Sequence, residues 1–341
     1  MTIKEVLSSV RPHLLSLKPY SSARDEFDQS SVGSQSFVYL DANENPFQTE
    51  YNRYPDPHQR ELKKLISEVK EVSPEQIFLG NGSDEAIDLI IRLFCSENDT
   101  VLIPYPTYGM YEVSARINNV KLEKILLTED FALTNLDREG KIIFLCNPNN
   151  PTGNLLNVQS VLDNFNGIVV VDEAYIDFSS KPTFIKQLSE YPNLIVLQTF
   201  SKAWGLAGLR LGMAFGHPEV ITLLNKIKPP YNISSATQKL AAQAFAKIGD
   251  VSNAIAVIRA ERDRVAVELS KLTSVKKVFP SEANFLLVRI DRAAEVYDKL
   301  IDDRIVVRDR STVVRCEDCL RITIGTSEEN NKLIEAVRRS L

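Results

Sequence analysis

The sequence predicts an α/β fold in which helices cover a mainly parallel sheet, followed by a smaller α+β domain. Two observations favour this class: short apolar runs alternate with helical segments through most of the chain, and the alternation changes after Pro229 and Pro230. A chain of 341 residues is long enough for about two domains. We therefore expect an N-terminal arm at residues 1–35, a large domain at residues 36–230, and a helical connection with a small domain at residues 231–341.

The N-terminal region carries several local predictions. Apolar residues at helical spacing predict an amphipathic helix over residues 3–17, and an apolar run predicts a strand at residues 37–40. Asn and Pro residues predict turns or extended loops at residues 41–46 and 52–57. A helix at residues 60–69 then begins the alternating part.

Strands and helices alternate through the rest of the predicted large domain. Strands are expected at residues 76–79, 100–103, 120–127, 141–146, 167–171, 194–198 and 211–215, and helices at residues 86–94, 108–117, 157–165 and 182–190. In the small domain, helices are expected at residues 236–246, 251–272 and 293–301 and at the C-terminus, and strands at residues 275–279, 284–288, 305–307 and 320–324.

The composition is that of an ordinary globular protein. Hydrophobic residues make up 44% of the chain and charged residues 25%, and the net charge is −5 without a long basic block. This balance disfavours nucleic acid or an anionic membrane as a partner. The N-terminus lacks a signal-peptide core, and no apolar run approaches the ~20 residues that span a bilayer. Four cysteines are too few for a disulfide framework, so we expect a cytoplasmic protein.

A hydroxyl–lysine pair, Ser201 and Lys202, follows the predicted strand at residues 194–198 and lies in a glycine-rich turn. Desolvation at the end of a buried strand disfavours the ammonium form of a lysine, and a neutral amine can form a Schiff base with an aldehyde. Ser201 and Arg210 add a hydroxyl and a guanidinium that suit a phosphate. Taken alone, the same pattern also fits a surface lysine in a turn.

Polar side chains follow the other predicted strands of the large domain. Ligands of an open α/β sheet bind beyond the carboxyl ends of its strands, so we expect these side chains to share one site. Each of them also fits a cap, a turn or a core aromatic position. Together they offer an acid, hydroxyl and amide donors, an aromatic ring and a helix N-terminus, as a pyridine-aldehyde phosphate requires. The residues are Gly82, Ser83, Asp84, Tyr108, Asn147, Asp172 and Tyr175.

Four motifs then establish a resemblance. They are Gly-Asn-Gly-Ser-Asp-Glu at residues 80–85, Asn-Pro-Asn-Asn-Pro-Thr-Gly at 147–153, Asp-Glu-Ala-Tyr at 172–175 and Ser-Lys-x-x-Gly-Leu-Ala-Gly-Leu-Arg at 201–210. Their order resembles that of fold-type I, pyridoxal-phosphate-dependent aminotransferases, whose large domain holds a seven-stranded type of sheet. Leu-Asp-Ala-Asn-Glu-Asn-Pro at 40–46, Asn-Arg-Tyr-Pro-Asp-Pro at 52–57 and Cys-Leu-Arg-Ile-Thr-Ile-Gly-Thr at 319–326 are similar to the histidinol-phosphate aminotransferase family.

The resemblance implies an activity and a cofactor. The activity is transamination of L-histidinol phosphate with 2-oxoglutarate in histidine biosynthesis, and the cofactor is pyridoxal 5′-phosphate. It implies that Lys202 forms the Schiff base and moves the substrate proton, and that Asp172 keeps the ring nitrogen protonated. Tyr175 and Asn147 would bind the ring hydroxyl, and Tyr108 would stack on the ring. The phosphate would be held by Gly82, Ser83, Asp84, Ser201 and Arg210, and by Tyr54 of a neighbouring subunit in a homodimer.

Two arginines are expected to bind the anionic groups of the substrates. Arg321 interrupts an otherwise apolar strand, and a buried guanidinium needs an anion. Arg308 follows the predicted strand at residues 305–307, and we assign both arginines jointly to the phosphate and carboxylates, with Tyr20 and Asn43 in support. The remaining arginines of this region, Arg292, Arg304, Arg310 and Arg315, are interpreted as surface charges.

Alternatives with the same cofactor and fold are an aromatic amino-acid transaminase and a threonine-phosphate decarboxylase. A pyridoxal-phosphate-sensing regulator also resembles this fold, but such a regulator carries a DNA-binding head that the N-terminal arm is too short to hold. Cys316 and Cys319 have zinc-like spacing, yet no second pair accompanies them and His is scarce, so no metal is expected.

Overall fold

The computed structural model describes residues 1–20 and 38–340. The rest of the predicted arm, and Phe37 of the predicted strand at residues 37–40, lie outside the described residues. Residues 38–40 form no strand, and Val38 and Leu40 are 84% and 89% exposed. The strand prediction is therefore wrong over its described residues, because Val38 and Leu40 enter no core of the described part of the chain.

The predicted N-terminal amphipathic helix is two short helices, α1 (Ile3–Ser8) and α2 (Pro12–Leu15). Pro12 has no backbone N–H to continue a helix, but it is favourable as the first helical residue. Val6 and Val10 are buried in a core of the large domain. The beginning of the arm is therefore packed against that domain.

Seven strands form the large sheet. They are β1 (Ile77–Asn81), β2 (Thr100–Tyr105), β3 (Lys121–Leu126), β4 (Ile142–Cys146), β5 (Ile168–Asp172), β6 (Leu194–Thr199) and β7 (Leu211–Phe215). Their order across the sheet is β1-β7-β6-β5-β4-β2-β3. Strand β7 runs antiparallel to its neighbours β1 and β6, and all other pairs in this sheet are parallel. The predicted mainly parallel sheet is confirmed.

Helices cover both faces of this sheet, and they are α3 (Arg60–Lys70), α4 (Gly82–Phe94), α5 (Met110–Ile117), α6 (Val158–Asn164) and α7 (Pro218–Ile227). Alternate side chains of a strand point to opposite faces. In β4, Ile143 and Leu145 join one core with α3 and α6, whereas Ile142 and Phe144 join the other with α4, α5 and α7. Both faces are buried, which explains why the central strands are unbroken apolar runs.

The helix predicted at residues 182–190 is wrong, since the structure contains only a short 3-10 turn there, Phe184–Gln187. The Thr183 hydroxyl accepts from the backbone N–H of Ile185 at 3.2 Å, a local bond that competes with regular helix. Pro192 restricts the residue before it to extended conformations. A longer helix is therefore blocked on both sides.

In the described part of the C-terminal region, four helices accompany a second sheet. The elements are α8 (Ser235–Phe245), α9 (Ile248–Ser270), β8 (Val275–Val278), β9 (Phe285–Ile290), α10 (Ala293–Asp302), β10 (Arg308–Asp309), β11 (Cys319–Thr323) and α11 (Ser327–Arg339). The sheet is antiparallel in the order β10-β11-β9-β8, which confirms the predicted α+β arrangement. The domain boundaries stay predictions. None of the described helices is long and apolar enough to cross a membrane, including the 23-residue α9.

The strand predicted at residues 305–307 is wrong, because strand pairing begins only at Arg308. The backbone N–H of Ile305 donates to the carbonyl of Leu300 at 2.7 Å, so residue 305 is bonded back to the C-terminal end of α10 and not to a strand. Val306 is exposed. The apolar run is therefore a connection between α10 and β10.

Strand β7 passes very close to the start of α4. A Cβ at Gly212 would lie 2.2 Å from the carbonyl carbon of Gly82 and 2.3 Å from the backbone nitrogen of Ser83. Both are backbone atoms, so no rotamer change relieves the overlap. Gly82 has a φ of 72°, in the left-handed region that glycine tolerates, and its N–H donates to the carbonyl of Arg210 at 2.7 Å. These contacts fix the N-terminus of α4 beside the loop that precedes β7.

Candidate active site

A cleft opens at the carboxyl ends of β4, β5 and β6 and encloses about 480 Å³, its open mouth included. It brings together most of the residues that the sequence assigned to cofactor binding, and of that set only Asn147 and Tyr54 do not line it. The lining residues are Gly82, Ser83, Asp84, Tyr108, Cys146, Asn150, Asp172, Ala174, Tyr175, Thr199, Ser201, Lys202 and Arg210.

One end of the cleft suits an anion. The N-terminus of the 13-residue α4 lies here, where backbone N–H groups lack intrahelical acceptors and the helix dipole favours negative charge. Ser201 and Arg210 face it from the loop before β7. The Asp84 carboxylate accepts from the Tyr108 hydroxyl at 3.0 Å and lies 3.7 Å from Nη2 of Arg210. Asp84 therefore suits an anion through its backbone N–H, whereas its carboxylate would repel one.

Lys202 is the amine of the cleft. Its pKa is lowered by burial and next by the positive charge of Arg321, while the carboxylate of Asp172 opposes this shift. Its Nζ lies 5.6 Å from the ring centroid of Tyr175. A lysine with a lowered pKa has more of the neutral amine that attacks an aldehyde.

Asp172 is the last residue of β5 and is buried at the floor of the cleft. Its Oδ2 accepts from the Tyr111 hydroxyl at 2.7 Å, and its Oδ1 accepts from the backbone N–H of Ala174 at 3.1 Å. Burial raises the pKa of Asp172 to about 6, and these two hydrogen bonds oppose the shift. Sequence reasoning missed Tyr111, whose only signal is its spacing of three residues from Tyr108 in the helix predicted at residues 108–117.

The structure corrects the assignment of the amide beside Tyr175. Asn147 does not line the cleft, because its Oδ1 accepts from the backbone N–H of Leu156 at 2.8 Å and is thereby used inside the loop. Asn150 lines the cleft instead, and its Nδ2 donates to the Tyr175 hydroxyl at 3.4 Å. The motif contains several asparagines, and only the fold shows which one faces the site.

Tyr108 forms a wall of the cleft. Its ring packs edge-to-face on Tyr111, with centroids 5.5 Å apart and an interplanar angle of 85°. Burial and the nearby Asp84 raise its pKa, so it remains a neutral donor. Its hydroxyl bond to Asp84 fixes the ring orientation at the cleft wall.

Three guanidinium groups lie beyond Asn150. Nη1 of Arg321 donates to Oδ1 of Asn150 at 2.5 Å, and Arg308 is the register partner of Arg321 across β10 and β11. Arg310 is half-buried, and neither its Nε nor that of Arg321 has a hydrogen-bond partner. Among the described residues, no carboxylate forms an ion pair with any of the three. This positive charge is therefore uncompensated by the residues that the structure describes.

Two arginines differ from their interpretation as surface charges. Arg310 is one of the three guanidinium groups described above, and burial followed by the charge of Arg308 lowers its pKa. Arg315 is partly buried and forms an ion pair with Glu129. Both lie in the segment between β10 and β11, which folds back against the large domain and so covers charges that look exposed in the sequence.

Tyr20, Asn43 and Tyr54 do not reach this cleft in the single chain. Asn43 and Tyr54 line a second, more open pocket, where the Tyr54 ring stacks on Tyr231 with centroids 4.5 Å apart. Tyr20 is 69% exposed and lines a third groove. Their functional roles stay predictions.

The cysteines show no disulfide, since all four are free and buried. Burial raises the pKa of Cys316 to about 12, and the neighbouring Cys319 adds to the shift. Among the described residues, no three His, Cys, Asp or Glu side chains cluster as a metal site would require.

Comparison with known proteins gives one consistent result. The family model of class I and II aminotransferases matches residues 38–337. The histidinol-phosphate aminotransferase of Parabacteroides distasonis is 51% identical over 98% of this chain and 99% of that protein. The histidinol-phosphate aminotransferase of Bacteroides thetaiotaomicron is 48% identical over 99% of each chain.

Solved structures agree with these similarities. The histidinol-phosphate aminotransferase from Clostridium acetobutylicum has a TM-score of 0.77 at 26% identity, covering 84% of this chain and 90% of that one. The histidinol-phosphate aminotransferase from Sinorhizobium meliloti, solved with pyridoxal-5′-phosphate, has a TM-score of 0.76 at 23% identity, covering 84% and 82%. The latter similarity concerns the fold alone.

We expect the unfolding free energy of the ligand-free protein to fall between about pH 4 and pH 6 because of Asp172. Its pKa is raised from 3.8 to about 6, so the folded chain holds this proton more tightly than the unfolded chain does. The associated stability is fully present at low pH and is lost as the pH rises through 6, a loss of about 3 kcal/mol. Urea unfolding of Asp172→Asn should lack this part of the pH dependence. Parallel curves for the two proteins would contradict the expectation.

Proposed function

This chain belongs to the class I and II aminotransferase family, and we propose that it transfers the amino group of L-histidinol phosphate to 2-oxoglutarate. The products are imidazole-acetol phosphate and L-glutamate, and the reaction is a step of histidine biosynthesis. The observation that carries the substrate assignment is about 50% identity, over nearly the whole chain, to proteins named for this activity. We also propose that the enzyme acts in the cytoplasm, where its four free cysteines would stay reduced.

The donor set of the cleft fits pyridoxal 5′-phosphate. The α4 N-terminus, Ser201 and Arg210 suit a phosphate dianion, and a Cβ at Gly82 would intrude on this cradle, 2.8 Å from Nη2 of Arg210. Asp172 offers a buried carboxylate for a ring N–H, and Lys202 offers an amine. When bound, this cofactor supplies an aldehyde that links to amines and a protonated ring that withdraws electrons from the substrate Cα.

Residues of the cleft would hold the cofactor in place and move the substrate proton. Lys202 would hold the cofactor covalently and carry the proton at the substrate Cα, which its lowered pKa supports. Asp172 would hold the proton on the ring nitrogen. Tyr175 and Asn150 would bind the ring hydroxyl, and Tyr108 would form the stacking wall. The hydrogen bonds between Tyr108 and Asp84 and between Asn150 and Tyr175 support these roles by fixing the side chains in advance.

The uncompensated arginines support a substrate with two negative groups. Holding like charges together without an anion is unfavourable, above all at the half-buried Arg321, and a phosphate or carboxylate that enters between it and the exposed Arg308 offsets that cost. Arg321 is the more buried of the two and suits an α-carboxylate or the phosphate ester that replaces it. Arg308 and Arg310 add charge for a dianion. We propose that this cluster selects histidinol phosphate and also accepts both carboxylates of 2-oxoglutarate.

We further propose that the enzyme is a homodimer in which Tyr54 contacts the cofactor phosphate of the second subunit. Support comes from the loop that carries it: Val38, Leu40 and Phe47 are 84%, 89% and 78% exposed, and Tyr54 itself is half-exposed. Several exposed apolar side chains along one segment are typical of an interaction surface. The Glu44 carboxylate accepts from the backbone N–H of Tyr54 at 2.6 Å, which holds the loop in shape.

We expect Lys202→Ala to abolish covalent attachment of pyridoxal 5′-phosphate after borohydride reduction, because the variant lacks the amine of the cleft. Intact mass and peptide mapping measure the attachment. Lys63→Met is the matched control, since Lys63 is a buried lysine outside the cleft whose pKa is lowered to about 8, mainly by burial. A reducible cofactor that persists in Lys202→Ala, or is lost in the control, would refute the assignment.

We expect Arg308→Ala to lower kcat/KM for histidinol phosphate by at least about 30-fold, or about 2 kcal/mol, because a charge contact that the bound substrate would desolvate is lost. The loss for an uncharged aromatic amino acid should be much smaller, and the absorption spectrum of the bound cofactor should not change. Arg292→Ala, which removes an arginine paired with Glu295 on the surface, is the control. Equal losses for both substrates, or none, would favour an aromatic transaminase. A substrate panel that includes O-phospho-L-threonine tests the decarboxylase alternative.

We expect sedimentation analysis to show a dimer at assay concentration, and Tyr54→Phe to release the cofactor more readily on dialysis, because a hydroxyl donor to the phosphate is lost. Tyr51→Phe removes a hydroxyl from the same loop and should retain the cofactor as the wild type does. A fully active monomer would contradict the proposal, as would equal cofactor loss from the two variants.

A further inference from the structure

Tyr111 lies behind the cleft and touches the carboxylate that faces the cofactor site. It is the second residue of α5 and is fully buried. Its ring stacks on Phe144, with centroids 4.9 Å apart and an interplanar angle of 12°, and contacts the edge of Tyr108. These contacts restrain the ring, and its hydroxyl donates to Oδ2 of Asp172 at 2.7 Å.

The partners of Asp172 are neutral. Its two hydrogen-bond donors are the Tyr111 hydroxyl and the backbone N–H of Ala174, one on each oxygen. Among the described residues, no cation lies within ion-pair distance of it. The other titratable groups around it are the ammonium of Lys202, the carboxylate of Asp84, the thiol of Cys146 and the phenols of Tyr108 and Tyr175.

A neutral donor leaves the negative charge of Asp172 intact, whereas a cation would compensate it. An arginine or histidine beside Asp172 would compensate its negative charge and weaken its attraction for a protonated ring nitrogen. A hydroxyl group favours the ionised carboxylate through a hydrogen bond but leaves its charge in place. Burial and Asp172 raise the pKa of Tyr111 well above its usual value, so this hydroxyl remains a donor at all working pH values.

We propose that Tyr111 is a positioning residue that keeps the buried Asp172 carboxylate ionised and aimed at the ring nitrogen of the cofactor. This inference rests on the proposed function and extends it to a residue that touches neither substrate nor cofactor. Without the hydroxyl, Oδ2 of Asp172 would be buried with no donor. The carboxyl group would then keep its proton to higher pH, and its hold on the protonated ring would weaken.

The test uses Tyr111→Phe, which keeps the stacked ring and deletes only the hydroxyl. Affinity is measured against pH with 4′-deoxypyridoxine 5′-phosphate, a probe that lacks the aldehyde and so binds without Lys202 chemistry. The single tryptophan, Trp204, lies two residues after Lys202 and reports binding by fluorescence. Near pH 7 we expect about tenfold weaker binding or more, and the pH below which affinity falls should rise by about one unit.

A second readout uses the holoenzyme. The ¹⁵N chemical shift of a ring-labelled cofactor should show less protonation of the ring nitrogen in Tyr111→Phe than in the wild type. The matched control is Tyr191→Phe, which deletes a hydroxyl that donates to Asp163 at 2.6 Å outside the cleft. That control should leave both readouts unchanged.

A double-mutant cycle separates positioning from packing. In an Asp172→Asn background, Tyr111→Phe should have no further effect on affinity or on its pH dependence. The inference is overturned if Tyr111→Phe behaves like the wild type, or if it weakens binding as much in the Asp172→Asn background as it does beside the native carboxylate. If the wild type does not bind the probe, or if Asp172→Asn binds it as well as the wild type does, the proposed function itself fails.

Discussion

The contact between β7 and the start of α4 is the constraint on which the cleft depends. A parallel sheet by itself collects loops at the carboxyl ends of its strands. Here the antiparallel β7 leads directly away from the loop that carries Ser201, Lys202 and Arg210. Because Gly212 has no side chain, that loop can lie against the helix N-terminus, so the amine and the anion cradle belong to one site. A larger residue at position 212 would push the loop that carries Lys202 away from the N-terminus of α4, and the site would lose its geometry.

The charged groups that the chain places in and beside the cleft are unfavourable by themselves. A buried carboxylate has its pKa raised, the Lys202 amine has its pKa lowered, and three guanidinium groups have no described counter-ion. Such groups cost stability, and ligands that bind only the folded chain restore it. Burial of the large apolar cores on both faces of the sheet offsets this loss of stability. Unfavourable electrostatic interactions of this kind are typical of functional sites.

The fold could be predicted well from the sequence, because most strands of the large sheet are short apolar runs bounded by turns. The same signal failed at residues 305–307, where an apolar run is only a connection. Most of the cleft followed from residues placed just after strands. The choice between Asn147 and Asn150 did not, since it depends on which amide the loop itself uses. Tyr111 was missed because it acts from inside a helix, where an aromatic residue ordinarily signals core.

Asn150 links the two sheets through a single amide. Its oxygen accepts from Arg321 on the small sheet, and its nitrogen donates to Tyr175 in the large domain. An amide has distinct donor and acceptor ends, so neither bond can be replaced without disturbing the other. Substrate preference can therefore be redesigned freely only at those arginines of the cluster that do not contact Asn150. Arg308 and Arg310 can be exchanged for groups that suit other amines, whereas changes at Arg321 reach the cofactor side through Asn150 and require compensation there.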